Sequence, residues 1–393
     1  MSVFASIAVP VELREAVSEQ AWVEAMLDAE RALANAESLA GVIPAAAAAA
    51  ITEQCRAELY RWDELAERGR AVGNPAEPLV RALREAVGAD AGQFVHYGAT
   101  SQDVVDSAGM LVARRALALI EEELYGVAAG CAALAREHRS TVAAARTLLQ
   151  QAVPTTFGLR AAGWLEAVLD ARAGLVRVPL AAQLGGAAGT LAALGDAGPE
   201  VLRLYAHELE LAEPALPWHG NRVAVAQLGG ALDVAAGVLA KIGTDVVLLS
   251  AFGEVAEGDA GGSSTMPHKR NPVGSTLARA CALQVHAQAS VLTAALPGEL
   301  ERAAGAWHAE WDAQSAALAL TGGAAAAIRG VVERLEVDAA RMRENVEAGV
   351  MSEKLAFAGE PLSPAELDPA TYLGSAETFV DRALDRYEKE AGA

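Results

Sequence analysis

Lysine is scarce in this chain. Lys241, Lys269, Lys354 and Lys389 are the whole set in 393 residues, and Asp and Glu outnumber Lys and Arg by 51 to 31. The formal charge of −20 argues against a nucleic-acid partner, because a phosphate backbone calls for a basic surface. A small anionic substrate stays open, since a few local cations suffice to hold it. Aromatic residues are also few, at 5%, whereas 53% of the chain is hydrophobic, mostly Ala and Leu. That balance favours close-packed helices over a β-sandwich. Cys55, Cys131 and Cys281 are far apart, odd in number and without metal-ligand spacing, so they read as buried or free thiols in a reducing compartment. The seven histidines are equally scattered, and neither a GxxxxGKS/T phosphate loop nor an HExxH pair occurs. No metal and no cofactor are expected. The first residues, MSVFASIAVPVELREAV, lack a basic segment followed by an apolar one, so no signal peptide is expected. No run reads as long and apolar enough to span a bilayer, and a cytoplasmic protein with no membrane partner is expected.

What is present is helical periodicity. Helix is expected from Glu12 to about Leu39, from Pro44 to about Glu67, and from Leu79 to Val87. Leu117, Ile120, Leu124, Val127, Cys131 and Leu134 then alternate steps of three and four. Val225, Leu228, Leu232, Ala235, Leu239, Ile242, Val246 and Leu249 do the same, as the seam of a long helix against near-parallel partners. The seam fits an ordinary core or a bundle shared between subunits. Gly229, Gly230, Gly237 and Gly243 weaken that helix by roughly 1 kcal/mol each, so close backbone approach is expected there. Further long helices are expected over 272–292 and 313–335, His138 and His286 read as helix residues, and a short helix, Ala376 to Tyr387, closes the chain.

Three polar segments interrupt this pattern. FVHYGATSQDVVDSA places His96, Thr100, Ser101, Gln102 and Asp103 at the head of a long helix. Thr100 or Ser101 reads as an N-cap, and the same free N–H groups suit a carboxylate. ARTLLQQAVPTTFG gathers Arg146, Thr147, Gln150, Gln151, Thr155 and Thr156 around Pro154, and reads as a polar kink between helices or a binding segment. GDAGGSSTMPHKRNPV combines Gly261 and Gly262 with Ser263, Ser264, Lys269 and Asn271. It is either a surface loop or a set of hydroxyls and donors for a carboxylate. Gly-rich QLGGAAGTLAALG lacks a preceding strand and reads as a tight loop.

The stretch GGSSTMPHKRNP resembles the GSSxMPxKxNP signature of the fumarase/aspartase superfamily, matching eight fixed positions. The other two polar segments resemble that superfamily's Thr-Ser and Arg-Thr…Pro-x-Thr segments, in the same order. VHYGATSQDVVDSA, LPWHGNR, ERAAGAWHAEW and LDPATYLGSAETFVDRAL are most similar to the bacterial 3-carboxy-cis,cis-muconate cycloisomerases. The resemblance implies an all-α fold of three domains, 1–100, 101–340 and 341–393, with a long central bundle that forms a homotetramer. It implies active sites that collect the three polar segments from different subunits, around a small polycarboxylate. Ser263 would transfer the proton with Ser264 beside it, His96 would complete the catalytic set, and Thr100, Ser101, Gln102, Arg146, Thr147, Gln150, Gln151, Met266, Lys269, Asn271 and Arg302 would bind substrate. The reaction implied is cycloisomerisation by proton transfer at a carbon next to a carboxylate. A fumarate-releasing lyase on an amino- or nitro-substituted succinate is the alternative, and a non-catalytic helical assembly is a further one. Many members carry a histidine at the position of Leu148 or of Gln151, and this chain has neither. That counts against adenylosuccinate lyase activity. The C-terminal region also reads as shortened.

Overall fold

A computed structural model describes residues 5–258, 261–262, 266 and 269–391. Helices dominate it, as the Ala- and Leu-rich composition requires. The longest are Ser101–Glu137, Val223–Ala251, Val273–Ala294 and Ala306–Glu333. All eight positions of the Val225–Leu249 seam are buried. Burying each large aliphatic side chain there contributes about 1.5–3 kcal/mol.

The chain forms two compact units. One comprises residues 1–119, 177–233 and 284–320. Its core includes Leu27, Leu79, Leu83, Met110, Leu111 and Tyr205. The other comprises residues 120–176, 234–283 and 321–393, with Leu124, Val127, Leu165, Leu239, Ile242 and Ile328 inside. Among its elements are three two-stranded antiparallel ribbons: Val142–Thr147 with Gln150–Thr156, Val255–Glu257 with Leu335–Val337, and Gly261–Gly262 with Arg270–Asn271. The three cysteines are free and buried.

Several expectations need correction. The first helix is interrupted: Val11–Ala16 ends, and Ser18 caps Glu19–Leu39 by accepting from the Ala21 N–H at 3.2 Å. The second breaks into Ala45–Gln54, a short 3-10 turn and Trp62–Gly69. The helix expected from residue 313 begins earlier, at Ala306, and His138 lies one residue beyond the end of Ser101–Glu137. The polar segment around Pro154 is a β-hairpin, where a kink between helices was an expected reading. Leu148 and Leu149 form its two-residue turn, with φ of 51° and 65°. Two positive φ values match a type I′ hairpin turn, which Asn-Gly usually marks in sequence. Two helices, Val223–Ala251 and Ala306–Glu333, are in fact long and apolar enough to cross a membrane by length and composition alone. The second has 67% of its most apolar window buried inside the protein, the first only 39%.

Helix 223–251 shows where the difference lies. Opposite its buried seam, Val223, Gln227, Gly230, Val234, Gly237 and Lys241 recur at steps of four and three, and all are exposed. The four glycines divide accordingly. A Cβ on Gly229 would stand 2.9 Å from Leu292 and one on Gly243 2.9 Å from the Ser275 carbonyl, so these two permit close packing. Gly230 and Gly237 face open space.

Candidate active site

Asp103 organises the first polar segment. It sits in the first turn of helix 101–137, and its carboxylate is buried. Oδ2 accepts the Thr100 N–H at 2.9 Å, closing the turn that starts the helix. Oδ1 accepts the Gly185 N–H at 2.8 Å, and Oδ2 the Gly186 N–H at 2.9 Å. His219 Nε2 lies 2.6 Å from Oδ1. One carboxylate thus ties the TSQD segment, the Gly-rich loop and the PWHGNR segment together. The glycines are required by proximity: a Cβ on Gly185 would stand 2.8 Å from the His219 ring, and one on Gly186 2.7 Å from the Gly98 carbonyl.

Gln102, expected among the substrate contacts, has its side chain wholly buried. Its Nε2 donates to Asp106 Oδ2 and to the His219 carbonyl, each at 3.1 Å. Its Oε1 accepts from Arg302 Nε at 2.9 Å. Arg302 is exposed, and among the described residues no carboxylate forms an ion pair with it. Beneath Gln102, Asp106 accepts two hydrogen bonds from Arg222, at 2.7 and 2.9 Å, and one from Trp307 Nε1 at 2.9 Å. Arg222 also donates to Glu310. A buried guanidinium between two carboxylates is costly to desolvate, and the multiple hydrogen bonds offset that cost. Arg302 is therefore held by a rigid charged base.

His96 precedes this segment in a left-handed backbone conformation, φ 59°. Its Nδ1 lies 2.5 Å from Glu30 Oε1, in helix 19–39. Burial pulls the imidazole pKa down, but the charge and hydrogen bond of Glu30 outweigh it and the net shift is upward. Glu30 was not anticipated; one more glutamate in an amphipathic helix carries no signal in sequence.

The second segment lies in the other unit. Arg146, expected as a substrate contact, places both terminal nitrogens on the buried Glu254 carboxylate, and its guanidinium lies 4.3 Å from the Phe252 ring centre. Asn345 Nδ2 donates to the same carboxylate at 3.0 Å. Gln151 Nε2 donates to the Asn345 carbonyl at 2.8 Å and its Oε1 accepts the Glu347 N–H at 3.1 Å. The hairpin base is therefore fixed, while Thr147, Leu148, Leu149 and Gln150 are exposed at its tip.

The third segment is anchored at both described ends. Gly261 pairs with Asn271 and Gly262 with Arg270. Arg270 donates to the Glu257 carbonyl at 3.0 Å and pairs with Glu336. Glu257 caps helix 273–294, accepting the N–H groups of Gly274 and Ser275 at 2.9 Å each. Met266 and Lys269 are exposed, and among the described residues Lys269 has no ion-pair partner. Ser263 and Ser264 lie outside the described residues. Among the described residues no group of three or more His, Cys, Asp or Glu side chains could hold a metal ion.

The structure thus brings His96, Thr100, Ser101, Gln102 and Arg302 into one unit, and Arg146, Thr147, Gln150, Gln151, Met266, Lys269 and Asn271 into the other.

Comparison with known proteins gives a consistent result. Residues 9–287 match a family described as lyase. The chain is 41% identical to a 3-carboxy-cis,cis-muconate cycloisomerase of Bradyrhizobium diazoefficiens, covering 96% of each chain. It is 42% identical to a nitrosuccinate lyase of Streptomyces davaonensis, covering 95% of this chain and 92% of that one. Among solved structures, the 3-carboxy-cis,cis-muconate lactonizing enzyme of Pseudomonas putida superposes with a TM-score of 0.93 at 38% identity, covering 99% of each chain.

Proposed function

This chain belongs to the lyase family, within the fumarase/aspartase superfamily, and on that premise we propose that it interconverts 3-carboxy-cis,cis-muconate and its carboxymuconolactone. The observation that carries this reading is the full-length likeness, in sequence and in fold, to enzymes named for that reaction.

The chemistry asks for a proton to move at a carbon next to a carboxylate while a second carboxylate oxygen adds to the double bond. Loss of that proton in reverse makes a doubly charged aci-carboxylate, which prearranged donors must stabilise. In this proposal Ser263 is the acid and base, with Ser264 beside it. A serine hydroxyl is a weak base at neutral pH, so neighbouring N–H groups must lower the cost of its alkoxide. Lys269, Asn271 and Arg302 hold the carboxylate that gathers charge. Lys269 and Arg302 are both exposed, and among the described residues neither has an ion-pair partner, which supports that assignment. Thr100, Ser101 and Thr147 bind another carboxylate. The leucines at the hairpin tip donate no proton, and in reverse the leaving group is a carboxylate, which needs none.

Nitrite is likewise a weak base that leaves without protonation. The likeness to the Streptomyces nitrosuccinate lyase therefore keeps a fumarate-releasing reading as the second choice.

The proposed assembly is a cytoplasmic homotetramer of three-domain chains, divided at 1–100, 101–340 and 341–393, with each site shared among subunits. The exposed Val223–Lys241 stripe of helix 223–251 supports it. So does a second exposed stripe, Thr276, Ala280, Leu283, Ala287, Ser290 and Ala294, on helix 273–294. Both keep the period of a helix packed against near-parallel partners. Ultraviolet spectroscopy on purified protein separates the two activities. Loss of the conjugated diene of 3-carboxymuconate supports cycloisomerisation, and fumarate appearing from nitrosuccinate alone would replace it.

A further inference from the structure

Glu30 has no part in the reaction as described so far, yet its placement is costly. Its carboxylate is buried in helix 19–39, Oε1 faces His96 Nδ1 at 2.5 Å, and among the described residues Oε2 has no hydrogen-bond partner. An ionised carboxylate is kept in such a position only where another charge balances it. His96 in turn adopts φ 59°, a conformation seldom taken by a residue other than glycine, and one that the surroundings must enforce. It stands four residues before Thr100 and, among the described residues, no protein group bonds its Nε2.

We propose that Glu30 is the positioning residue for His96, fixing the ring with Nδ1–H toward the protein and Nε2–H toward the substrate as a charged donor to a carboxylate. This rests on the reading that residues 96–102 border the substrate. It gives His96, expected in the catalytic set, the role of an anion-binding group and leaves proton transfer at carbon to the serine. A carboxylate that orients an imidazole through one nitrogen sets the tautomer and the direction of the other.

The charged surroundings agree. Glu30 and Asp103 both act to keep the ring protonated. Arg84 opposes them, but its guanidinium is committed to the Val95 carbonyl, at 3.4 Å from Nε and 3.1 Å from Nη2. Glu37 and Cys55, near Glu30, are held neutral by burial and add no charge at neutral pH.

Diethyl pyrocarbonate, which acylates neutral imidazole, reads the state of each histidine in the intact protein when peptides are mapped by mass spectrometry across pH. In the wild type, the midpoint for His96 is expected above the free-histidine value of about 6.5. Glu30→Gln is expected to lower it by about one pH unit or more, with Glu30→Asp between, while exposed His286 stays fixed. In turnover of 3-carboxymuconate, KM is expected to rise with pH through the same midpoint, with kcat changing less. A His96 midpoint unmoved by Glu30→Gln overturns the proposal. Should that variant fail to fold, a wild-type midpoint at or below the free value overturns it equally. A midpoint that moves as expected in a protein that turns over no candidate carboxylate supports the pairing and contradicts the assigned reaction.

Discussion

Asp103 Oδ1 and His219 Nε2 stand 2.6 Å apart in the protein interior, and the same carboxylate accepts three backbone N–H groups from residues 100, 185 and 186. Asp103→Ala removes the acceptor and leaves the imidazole and the three N–H groups buried without it. The expected cost is about 1–3 kcal/mol of folding stability, the range for leaving a buried hydrogen-bonding group unsatisfied. Urea unfolding checks this, and a loss below about 1 kcal/mol contradicts the organising role.

Glu37 gives a pH-dependent prediction. Its carboxyl is fully buried, both oxygens lack partners among the described residues, and burial first and Glu30 second push its pKa up to about 9. In the unfolded chain it ionises near pH 4.3. Between those values the folded state holds a proton that the unfolded state releases, so stability falls as pH rises through that window. Glu37→Gln removes the effect. Its stability relative to wild type is expected to rise with pH, by at most about 1.4 kcal/mol per pH unit. Unfolding midpoints at pH 5 and pH 8 decide the matter, and a difference that does not change with pH contradicts it.

The exposed stripe on helix 223–251 gives the third. If Val223, Gly230, Val234 and Gly237 pack against other copies of the chain, Val234→Asp places a charge in a dry seam. Light scattering is expected to show dissociation below the tetramer, with helical circular dichroism retained. A variant that remains tetrameric contradicts the placement of the interface.

The long helices were legible because their apolar positions repeat without a fault; every residue of the Val225–Leu249 seam is buried. The hairpin was not, because its turn is made by Leu148 and Leu149, which carry no turn signal and adopt positive φ only under tertiary constraint. The polar segments were visible as breaks, but not the direction in which each side chain points. Gln102 turns inward to support Arg302, and Arg146 is committed to Glu254, 108 residues away. Glu30 and Glu254 were missed for the same reason: their partners are distant in sequence and ordinary in type. His219 was visible only as part of a motif stretch, and its role follows from Asp103.

The central claim is that a serine of the signature segment moves the proton. Its most direct test is turnover of 3-carboxy-cis,cis-muconate by Ser263→Ala and Ser264→Ala, followed as diene absorbance on samples whose assembly is verified. Ser263→Ala is expected to lose activity by orders of magnitude while assembling normally. Near-normal turnover by both variants would contradict the account.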